Sequence, residues 1–351
     1  MQTVPTSLAS IAARVDARLA TLLDSERDRW TAVNPALSEP FSSLQTLLST
    51  GKRLRPAFCL WGYVAAGGSP DDDMVTAAGA AFELLHAFAL VHDDVMDGSD
   101  SRRGVRTTHL AFADRHTEGD WVGEARRFGE GVAILVGDLA FVYADAMLRD
   151  APQAALDIWH ELRIELNIGQ YLDLLGTARR DRDRMVAERV ARYKSGKYTV
   201  ERPLHFGAAL AAPARIGDLL GPLSSYGLPL GDAFQYRDDV LGVFGDSAKV
   251  GKPVGDDLRE GKPTVLLSLT TERVGPSAST LLSRVGSPDL GPDEVSALQA
   301  LIVDCGALDE LESQITELTN EAIEAIERAP IDDAAREPLV ELARYVAWRD
   351  K

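Results

Sequence analysis

The sequence predicts an all-α fold in a single domain that covers residues 1–351, with an N-terminal helix in 1–35 and the main body in 36–351. Helical periodicity runs along most of the chain, whereas alternating β-branched strands with hairpin turns are nearly absent. No stretch has the composition of a long flexible linker, and no regular repeat occurs. A chain of 351 residues also has ample material for one large hydrophobic core.

The predicted helices follow one another through short loops rich in glycine and proline. The first, Leu8–Trp30, is amphipathic. The longest apolar run, residues 74–91, carries Glu83 and His86, so we interpret it as a buried core helix and not as a membrane span. The other helices are expected at 55–66, 73–97, 131–149, 151–177, 183–195, 198–211, 216–244, 262–271, 292–304, 308–329 and 333–348.

The net charge limits the possible partners, and the cysteine content indicates the compartment. A formal net charge of −17 repels nucleic acid and anionic membranes, so an anionic substrate would need locally concentrated cations or metal ions. The two cysteines, Cys59 and Cys305, are far apart in the sequence, which fits a reducing compartment. The first residues lack the pattern of a signal peptide, so we predict a cytoplasmic protein.

Three aspartates are clustered near the end of the predicted helix 73–97. Asp93 and Asp97 are spaced i,i+4 and share a helix face, at an end where the helix dipole disfavours anions. Because both features destabilise a helix, the cluster indicates a function, with a solvated acidic helix end as the alternative for this string alone. Carboxylates suit Mg²⁺, and Arg102 and Arg103 follow directly with side chains suited to diphosphate.

A second acidic pair, Asp238 and Asp239, ends another apolar helix and is preceded by Gln235. The following loop contains glycines, which permit close approach of the backbone to a ligand, and lysines, which provide point charges for phosphate. Alone this loop could be ordinary surface, but together with the first cluster it predicts a phosphate and metal site. Its charged residues include Lys249, Lys252, Asp256, Asp257 and Lys262.

Two basic segments add candidate anion ligands. Lys52, Arg53 and Arg55 directly precede a predicted helix, whose N-terminus already favours anions. Three cations there are unfavourable unless an anion joins them, and a solvated basic turn is the alternative. The second segment contains Lys194 and Lys197 near a predicted helix junction, and alone it indicates little.

Together these segments resemble the trans-isoprenyl diphosphate synthase (polyprenyl synthetase) family, and most of all its geranylgeranyl diphosphate synthases. The likeness runs from about residue 51 to residue 264. One such string could arise by chance, but seven in the same order are hard to explain otherwise. They are GKRLRP (51–56), ELLHAFALVHDDVMDGSDSRRG (83–104), ILVGDLA (134–140), GQYLD (169–173), YKSGKYT (193–199), FQYRDDVLGVFGD (234–246) and GKPVGDDLREGKPT (251–264).

The resemblance implies a helical bundle of the isoprenoid synthase type around a central cavity, in which 36–351 is the catalytic core. It implies three Mg²⁺ ions with substrate bound. Asp93 and Asp97, supported by Asp94, would bind two of them, and Asp238 beside Asp239 would bind the third. His92 stands next to Asp93, but we interpret it as a structural residue and not as a ligand.

The resemblance also implies two diphosphate substrates and a homodimer. The residues expected to bind the allylic diphosphate are Arg102, Lys194, Gln235 and Lys252. Those expected to bind isopentenyl diphosphate are Lys52, Arg55, His86 and Arg103, and Lys262 is a further substrate-binding candidate. Gln170 and Asp173 match positions near the reacting carbons and the second metal region. The family reaction requires no Ser, Cys or His nucleophile.

Three positions depart from the family pattern. Gly242 stands where many members have a third Asp in the second acidic motif, so the metal site is expected to be kept but looser. Thr50 replaces the first Gly of the usual GGK string. The YKSGKYT stretch is one residue longer than the usual Lys-Thr segment, and Lys194 is a better match than Lys197.

The predicted helix 73–97 also suggests the product length. A growing chain should run along it from Asp93, and one isoprene unit spans ~5 Å, close to the helical pitch of about 5.4 Å. Ala89 and Leu85 then lie one and two units away on the same face. Phe88 lies on the flank, where an aromatic residue forms part of the cavity floor in the family. This pattern resembles the C20 producers, although ordinary core packing remains the alternative for Phe88.

Other functions remain open at this point. A farnesyl or longer-chain polyprenyl diphosphate synthase would use the same motifs. A terpene cyclase would share the aspartate-rich helix but would not need Lys52, Arg55 and His86 for a second substrate. A non-catalytic synthase subunit usually lacks acidic residues in one motif, and Gly242 is the one hint of that.

Overall fold

Helices dominate the protein, as the sequence predicts. The computed structural model describes residues 5–245, 255–275, 279–287 and 289–349. The helices are α1 (Thr6–Thr31), α2 (Ser38–Leu48), α3 (Leu54–Ala65), α4 (Asp73–Asp97), α5 (Thr108–Glu118), α6 (Ala125–Met147), α7 (Gln153–Arg179), α8 (Arg184–Val190), α9 (Arg202–Ala211), α10 (Ile216–Phe244), α11 (Asp256–Glu260), α12 (Val265–Arg273), α13 (Ser279–Leu282), α14 (Pro292–Asp304), α15 (Ala307–Arg328) and α16 (Asp333–Ala347). A π-helical segment, Ala191–Glu201, joins α8 to α9, and short 3₁₀ turns occupy Pro35–Leu37 and Pro213–Arg215.

Local capping fixes the ends of α4. The Asp72 side chain accepts a hydrogen bond from the Met74 N–H, which satisfies a free donor of the first turn. At the other end Gly98 adopts φ 66°, a left-handed conformation that glycine takes without strain. The predicted bounds of α4 are therefore confirmed to the residue, as are those of α10 and α14.

The core is built around α3, α4 and α9. Phe82, Trp159 and Phe206 form a fully buried aromatic cluster with edge-to-face contacts, and their ring centroids are 5.3–5.9 Å apart. Among the described helices α4 is long and apolar enough to cross a bilayer, but 72% of its apolar window is buried inside the protein. The structure thus uses α4 as a core helix, as its internal Glu83 and His86 suggest.

Several elements differ from the sequence prediction. Helices α2 and α5 were not predicted, and α6 begins at Ala125, six residues before the predicted start. A short antiparallel pair, β1 (Ser101–Arg102) with β2 (Val105–Arg106), lies in the loop after α4. The predicted break between 195 and 198 is wrong, because the chain stays helical from α8 to α9.

Gly196, which suggests a helix break in the sequence, has a packing role in the structure. A Cβ added to Gly196 would lie 2.9 Å from the backbone carbon of Gly231 in α10. The missing side chain therefore lets the π-helical segment contact α10 backbone to backbone.

Candidate active site

The acidic ends of α4 and α10 border one cavity of about 710 Å³. Asp93 lines it from α4, and Asp238 and Asp239 line it from α10. The remaining walls combine cationic and polar residues with apolar ones, and the cationic part makes the cavity suitable for a polyanion. Among the sequence candidates, these wall residues are Lys52, Arg55, His86, Arg102, Arg103, Lys194, Gln235 and Lys262. The remaining basic candidate, Lys252, lies outside the described residues.

Three side chains from different elements converge on the Asp93 carboxylate. It accepts hydrogen bonds from Arg102 Nη2 at 3.0 Å, Gln170 Nε2 at 3.1 Å and Lys194 Nζ at 3.1 Å. Burial alone would raise the pKa of Asp93, but Lys194, Lys262 and Arg102 hold it well below the ordinary value. Asp93 is therefore an anion in a buried cationic setting.

Arg102 is itself oriented by the first acidic cluster. The β1–β2 hairpin turns it back towards α4, where its Nε donates to Asp94 Oδ1 at 2.7 Å. Asp94 is buried against this guanidinium and does not line the 710 Å³ cavity. Its role in the structure is to orient Arg102.

Asp97 lies one turn beyond Asp93 and faces the ammonium group of Lys262 at 3.1 Å. Burial and the neighbouring Asp93 raise the pKa of Asp97, whereas Lys262 opposes the rise. The oxygen that faces Lys262 is the buried Oδ2, and the contact is an ion pair without hydrogen-bond geometry. Lys262 in turn pairs with Glu260 at 2.6 Å, so the cation is shared by two carboxylates.

The second acidic pair has two different environments. Asp239 is fully buried, where it accepts hydrogen bonds from Gln235 Nε2 at 2.8 Å and the Val265 N–H at 3.2 Å. Burial raises the pKa of Asp239 well above the ordinary value. Asp238 is half-exposed to the cavity and pairs with Arg349, a contact that the sequence did not predict. The Arg349 guanidinium also stacks on Phe234 at 4.1 Å.

The space beside Gly242 is occupied by another carboxylate. A Cβ added to Gly242 would lie 1.9 Å from Oδ2 and 2.5 Å from Cγ of Asp257. Asp257 also contributes to the raised pKa of Asp239, after the larger effect of burial. A carboxylate is therefore present where the missing third aspartate of the motif would stand, and it comes from α11.

The predicted isopentenyl side of the cavity contains buried polar atoms without partners. Arg55 stacks on the Tyr198 ring at 4.2 Å and donates to Thr199 Oγ1 at 2.9 Å. In the described structure Arg55 Nε, His86 Nδ1 and the Tyr198 hydroxyl make no hydrogen bond. Burial, with Arg55 and Arg103, lowers the pKa of His86 well below the ordinary value. Unpaired buried polar groups are costly, so this arrangement fits a polar ligand.

The remaining residues of the GKRLRP segment divide by environment. Arg53 turns inward, where it pairs with Glu83 at 2.6 Å, which explains the acidic residue within α4. Arg103 faces the cavity and donates to Thr50 Oγ1 at 3.1 Å. Arg53 and its partner Glu83 thus form a buried ion pair behind the cavity wall, which they line together with Lys52, Arg55 and Arg103.

The two lysines of YKSGKYT point to different partners. Lys194 reaches Asp93 and lies 2.5 Å from Asp173 Oδ2. Lys197 pairs instead with Glu165, away from the acidic clusters. The structure therefore brings Lys194 to the cavity, whereas Tyr198 and Thr199, which the sequence prediction did not include, are buried against Arg55. Sequence reasoning would have placed Tyr198 and Thr199 beside Lys194 only by treating the Lys-Ser-Gly-Lys-Tyr-Thr run as one continuous helix.

The chain-length candidates lie outside the cavity wall. Among the described residues α4 lines the cavity with Glu83, His86, Leu90 and Asp93, not with Leu85, Phe88 or Ala89. Leu85 is fully buried in the core, and Ala89 is partly buried and packs against the same core. The Phe88 ring contacts those of His92 and Phe141 at 4.6 and 4.7 Å. His92 faces α6, with Nε2 3.0 Å from the Ile134 carbonyl oxygen.

The carboxylates fit a hard divalent cation that is shared with a ligand. Within the described ranges no three His, Cys, Asp or Glu side chains lie close enough to enclose a metal ion by themselves. Mg²⁺ usually takes one or two carboxylates and completes its shell with water and phosphate. The side-by-side Asp93 and Asp97, each now paired with a lysine, provide such an incomplete set of oxygen ligands.

Comparison with known proteins gives concordant results. The sequence pattern of the polyprenyl synthetase family matches residues 36–302. A geranylfarnesyl diphosphate synthase of Aeropyrum pernix is 33% identical over 321 residues, which cover 88% of this chain and 94% of the relative. A (2E,6E)-farnesyl diphosphate synthase of Mycobacterium bovis is 30% identical, covering 85% and 80%. A crystal structure of a Corynebacterium glutamicum geranylgeranyl pyrophosphate synthase, complexed with isoprenyl diphosphate and magnesium, superposes with a TM-score of 0.91 at 35% identity, covering 97% and 99%.

Proposed function

This chain belongs to the polyprenyl synthetase family, and we propose that it condenses isopentenyl diphosphate with an allylic diphosphate in the cavity described above, giving geranylgeranyl diphosphate. The main support is that the acidic ends of α4 and α10 border the same cavity, with cationic residues on both sides. Such a cavity holds two polyanions at once, which a one-substrate enzyme does not need.

The metal-binding residues we propose are Asp93 and Asp97 for two Mg²⁺ ions and Asp238 for a third. Each carboxylate now contacts a cation, namely Lys194, Lys262 or Arg349. These cations supply part of the positive charge that Mg²⁺ would bring to the carboxylates. When bound, the metal ions neutralise the diphosphate and stabilise it as a leaving group.

The allylic diphosphate is proposed to bind Arg102, Lys194, Gln235 and Lys252. Arg102 and Lys194 already lie beside Asp93 and need only exchange or share this partner. As the allylic C–O bond breaks, negative charge grows on the leaving oxygen, and both cations stabilise that charge. The bond breakage leaves an allylic carbocation next to the second substrate.

Isopentenyl diphosphate is proposed to bind Lys52, Arg55, His86 and Arg103. The unpartnered Arg55 Nε and His86 Nδ1 would then gain acceptors on its phosphate oxygens. Its double bond attacks the carbocation, which moves the positive charge to the other carbon of that double bond. The carbon next to this new cation then loses a proton, and an oxygen of the released diphosphate accepts it. Neither step requires a protein nucleophile.

One assay separates the rival functions. The purified protein is incubated with Mg²⁺, isopentenyl diphosphate and farnesyl diphosphate, and diphosphate release is measured together with the prenyl product. A synthase requires both substrates for release. Release from farnesyl diphosphate alone with a hydrocarbon product would show a terpene cyclase, and no release would show a non-catalytic subunit.

Product length provides the first prediction. Phe88 lies five residues before Asp93 and packs against Phe141, outside the wall of the 710 Å³ cavity, so it fills the flank of α4 along which a prenyl chain from Asp93 is proposed to run. Phe88→Ala should open this space and lengthen the product by at least one isoprene unit, which a radio-chromatogram of the products would show. Phe41→Ala, a buried phenylalanine of α2, is the matched control and should keep the product unchanged. A product of wild-type length from Phe88→Ala would contradict the role of Phe88 in setting the chain length.

We also propose a homodimer through an exposed apolar face on α6 and α7. Leu135 and Val142, seven residues apart on α6, are 63% and 62% exposed. On α7, Ile164 and Ile168 are 55% and 50% exposed. Exposed apolar side chains arranged along two helices usually mark a contact surface. A cytoplasmic location, the sequence expectation, is compatible with such an assembly.

The dimer is tested by one charge placed on that face. Leu135→Glu should convert the dimer into a monomer, because a glutamate would have to be buried unpaired in the interface. Light scattering after size-exclusion chromatography measures the mass. Val303→Glu introduces the same charge at an exposed apolar position of α14 and should leave the mass unchanged. A wild-type protein that is already monomeric would refute this assembly.

A further inference from the structure

A buried network of charges lies under the π-helical segment and away from the cavity wall. Glu165 of α7 accepts two hydrogen bonds from Arg202 of α9, from Nε and Nη2, each at 2.7 Å. It also pairs with Lys197 of the π-helical segment. Burial alone would raise the pKa of Glu165, but Arg202 and Lys197 lower it, so the carboxylate is charged.

The network continues to α10 and is balanced in charge. Glu201 lies 3.8 Å from Lys197 and accepts a hydrogen bond from Ser224 at 2.6 Å. Ser224 also lies 3.1 Å from His205 Nε2. Burial, with Arg202, lowers the pKa of His205 to about 3, so its imidazole is neutral. Two carboxylates thus face two cations, and Glu165 contacts both cations.

The π-helical segment above this network is stabilised by contacts with the surrounding helices. In a π-helix each turn has more residues than in an α-helix, so Lys194, Tyr198 and Thr199 come to one side, where Lys194 lines the cavity and the other two contact Arg55. Such helices are rare and are usually maintained by their surroundings. Here three close backbone contacts contribute, Gly169 against Lys194, Gly196 against Gly231 and Gly227 against Glu201. None of them fixes the segment at Lys197.

We propose that Glu165 is a positioning residue, which ties Lys197 and Arg202 to α7 and so keeps the π-helical segment in the register that presents Lys194 to the cavity. Glu165 and Asp173 lie on the same helix, and Asp173 contacts Lys194 directly. Helix α7 therefore holds the segment at two points, one in the cavity and one below it. The inference rests on the proposed function in one respect, namely that Lys194 binds the allylic diphosphate.

Glu165→Gln is the direct test, because it keeps the shape of the side chain and removes its charge. We expect Mg²⁺–inorganic diphosphate to bind about tenfold more weakly, by calorimetry, because one charged hydrogen bond that holds the segment is lost. In Glu165→Gln the KM for the allylic substrate should rise and kcat should fall. In Glu165→Asp, which keeps the charge, KM and kcat should lie closer to the wild-type values. Glu188→Gln, which breaks the exposed pair with Arg184, is the control and should change neither.

A double variant separates positioning from stability. In Glu165→Gln two buried cations face one carboxylate, and Glu165→Gln with Lys197→Met restores the balance of one to one. The melting temperature should therefore recover in the double variant, whereas diphosphate affinity should stay low because the tether is still absent. Recovery of both quantities, or a Glu165→Gln protein with unchanged affinity, would overturn the proposal. Failure of the wild-type protein to condense the two substrates would instead refute the proposed function.

Discussion

Asp93→Asn is expected to lower kcat/KM for the condensation by roughly 10²–10³-fold, the usual effect of removing one group that stabilises developing charge. Asp93 is the carboxylate on which Arg102, Lys194 and Gln170 converge. An asparagine keeps the size of the side chain but loses the negative charge that a divalent cation needs. It also leaves the two buried cations without their shared partner, so they repel each other.

The measurement has a binding arm and a kinetic arm. Calorimetry with Mg²⁺ and inorganic diphosphate should show a loss of affinity in Asp93→Asn, and steady-state kinetics should show the loss of kcat/KM. Asp157→Asn is a matched control on α7, where the carboxylate accepts one hydrogen bond from Gln153. If Asp93→Asn kept the wild-type affinity for Mg²⁺–diphosphate, the metal role proposed for Asp93 would be wrong.

The ends of the two acidic helices were predictable because their signals are local. Helix α4 begins after the Asp72 cap and ends at Gly98, and both residues act within a few positions of the boundary. Sequence patterns of this kind locate Asp93 and Asp238 on their helices, but they do not specify what faces them.

The partners of these carboxylates depend on contacts between distant parts of the chain. Lys194 is 101 residues from Asp93, and the packing of the π-helical segment against α7 and α10 brings them together. Arg349 lies beyond every recognised motif and has no local signal. It reaches Asp238 because α16 packs on α10, where Arg237 Nε donates to the Ala347 carbonyl oxygen at 2.7 Å.

Glycine was the residue most easily misinterpreted in the sequence. Gly196 predicts a break by its low helix propensity, yet in the structure it permits a close helix contact. Gly242 suggests a weakened acidic motif, yet the carboxylate of Asp257 occupies the adjacent space. In both cases the meaning of the missing side chain depends on a segment that lies far away in the sequence.

Gly242→Ala is therefore expected to weaken Mg²⁺–diphosphate binding and kcat/KM by about ten- to a hundredfold, the range that corresponds to roughly 1–3 kcal/mol of overpacking. Oδ2, Cγ and Oδ1 of Asp257 all lie within 3.1 Å of the added Cβ, so the whole carboxylate must move away. Gly221→Ala makes the same change on the same helix, at a position with open space, and should be neutral or slightly stabilising.

A reciprocal exchange distinguishes the loss of a carboxylate from simple crowding. Gly242→Asp alone places a second carboxylate in space that Asp257 already fills, and it should be at least as harmful as Gly242→Ala. Combined with Asp257→Gly, it returns a single carboxylate to this space from the α10 side, so diphosphate affinity should recover relative to either single variant. If Gly242→Asp alone were more active than the wild type, the acidic motif would lack a carboxylate at this position that Asp257 does not replace. If the double variant failed to recover although it folded, the Asp257 carboxylate would be needed for its position on α11 and not only for its charge.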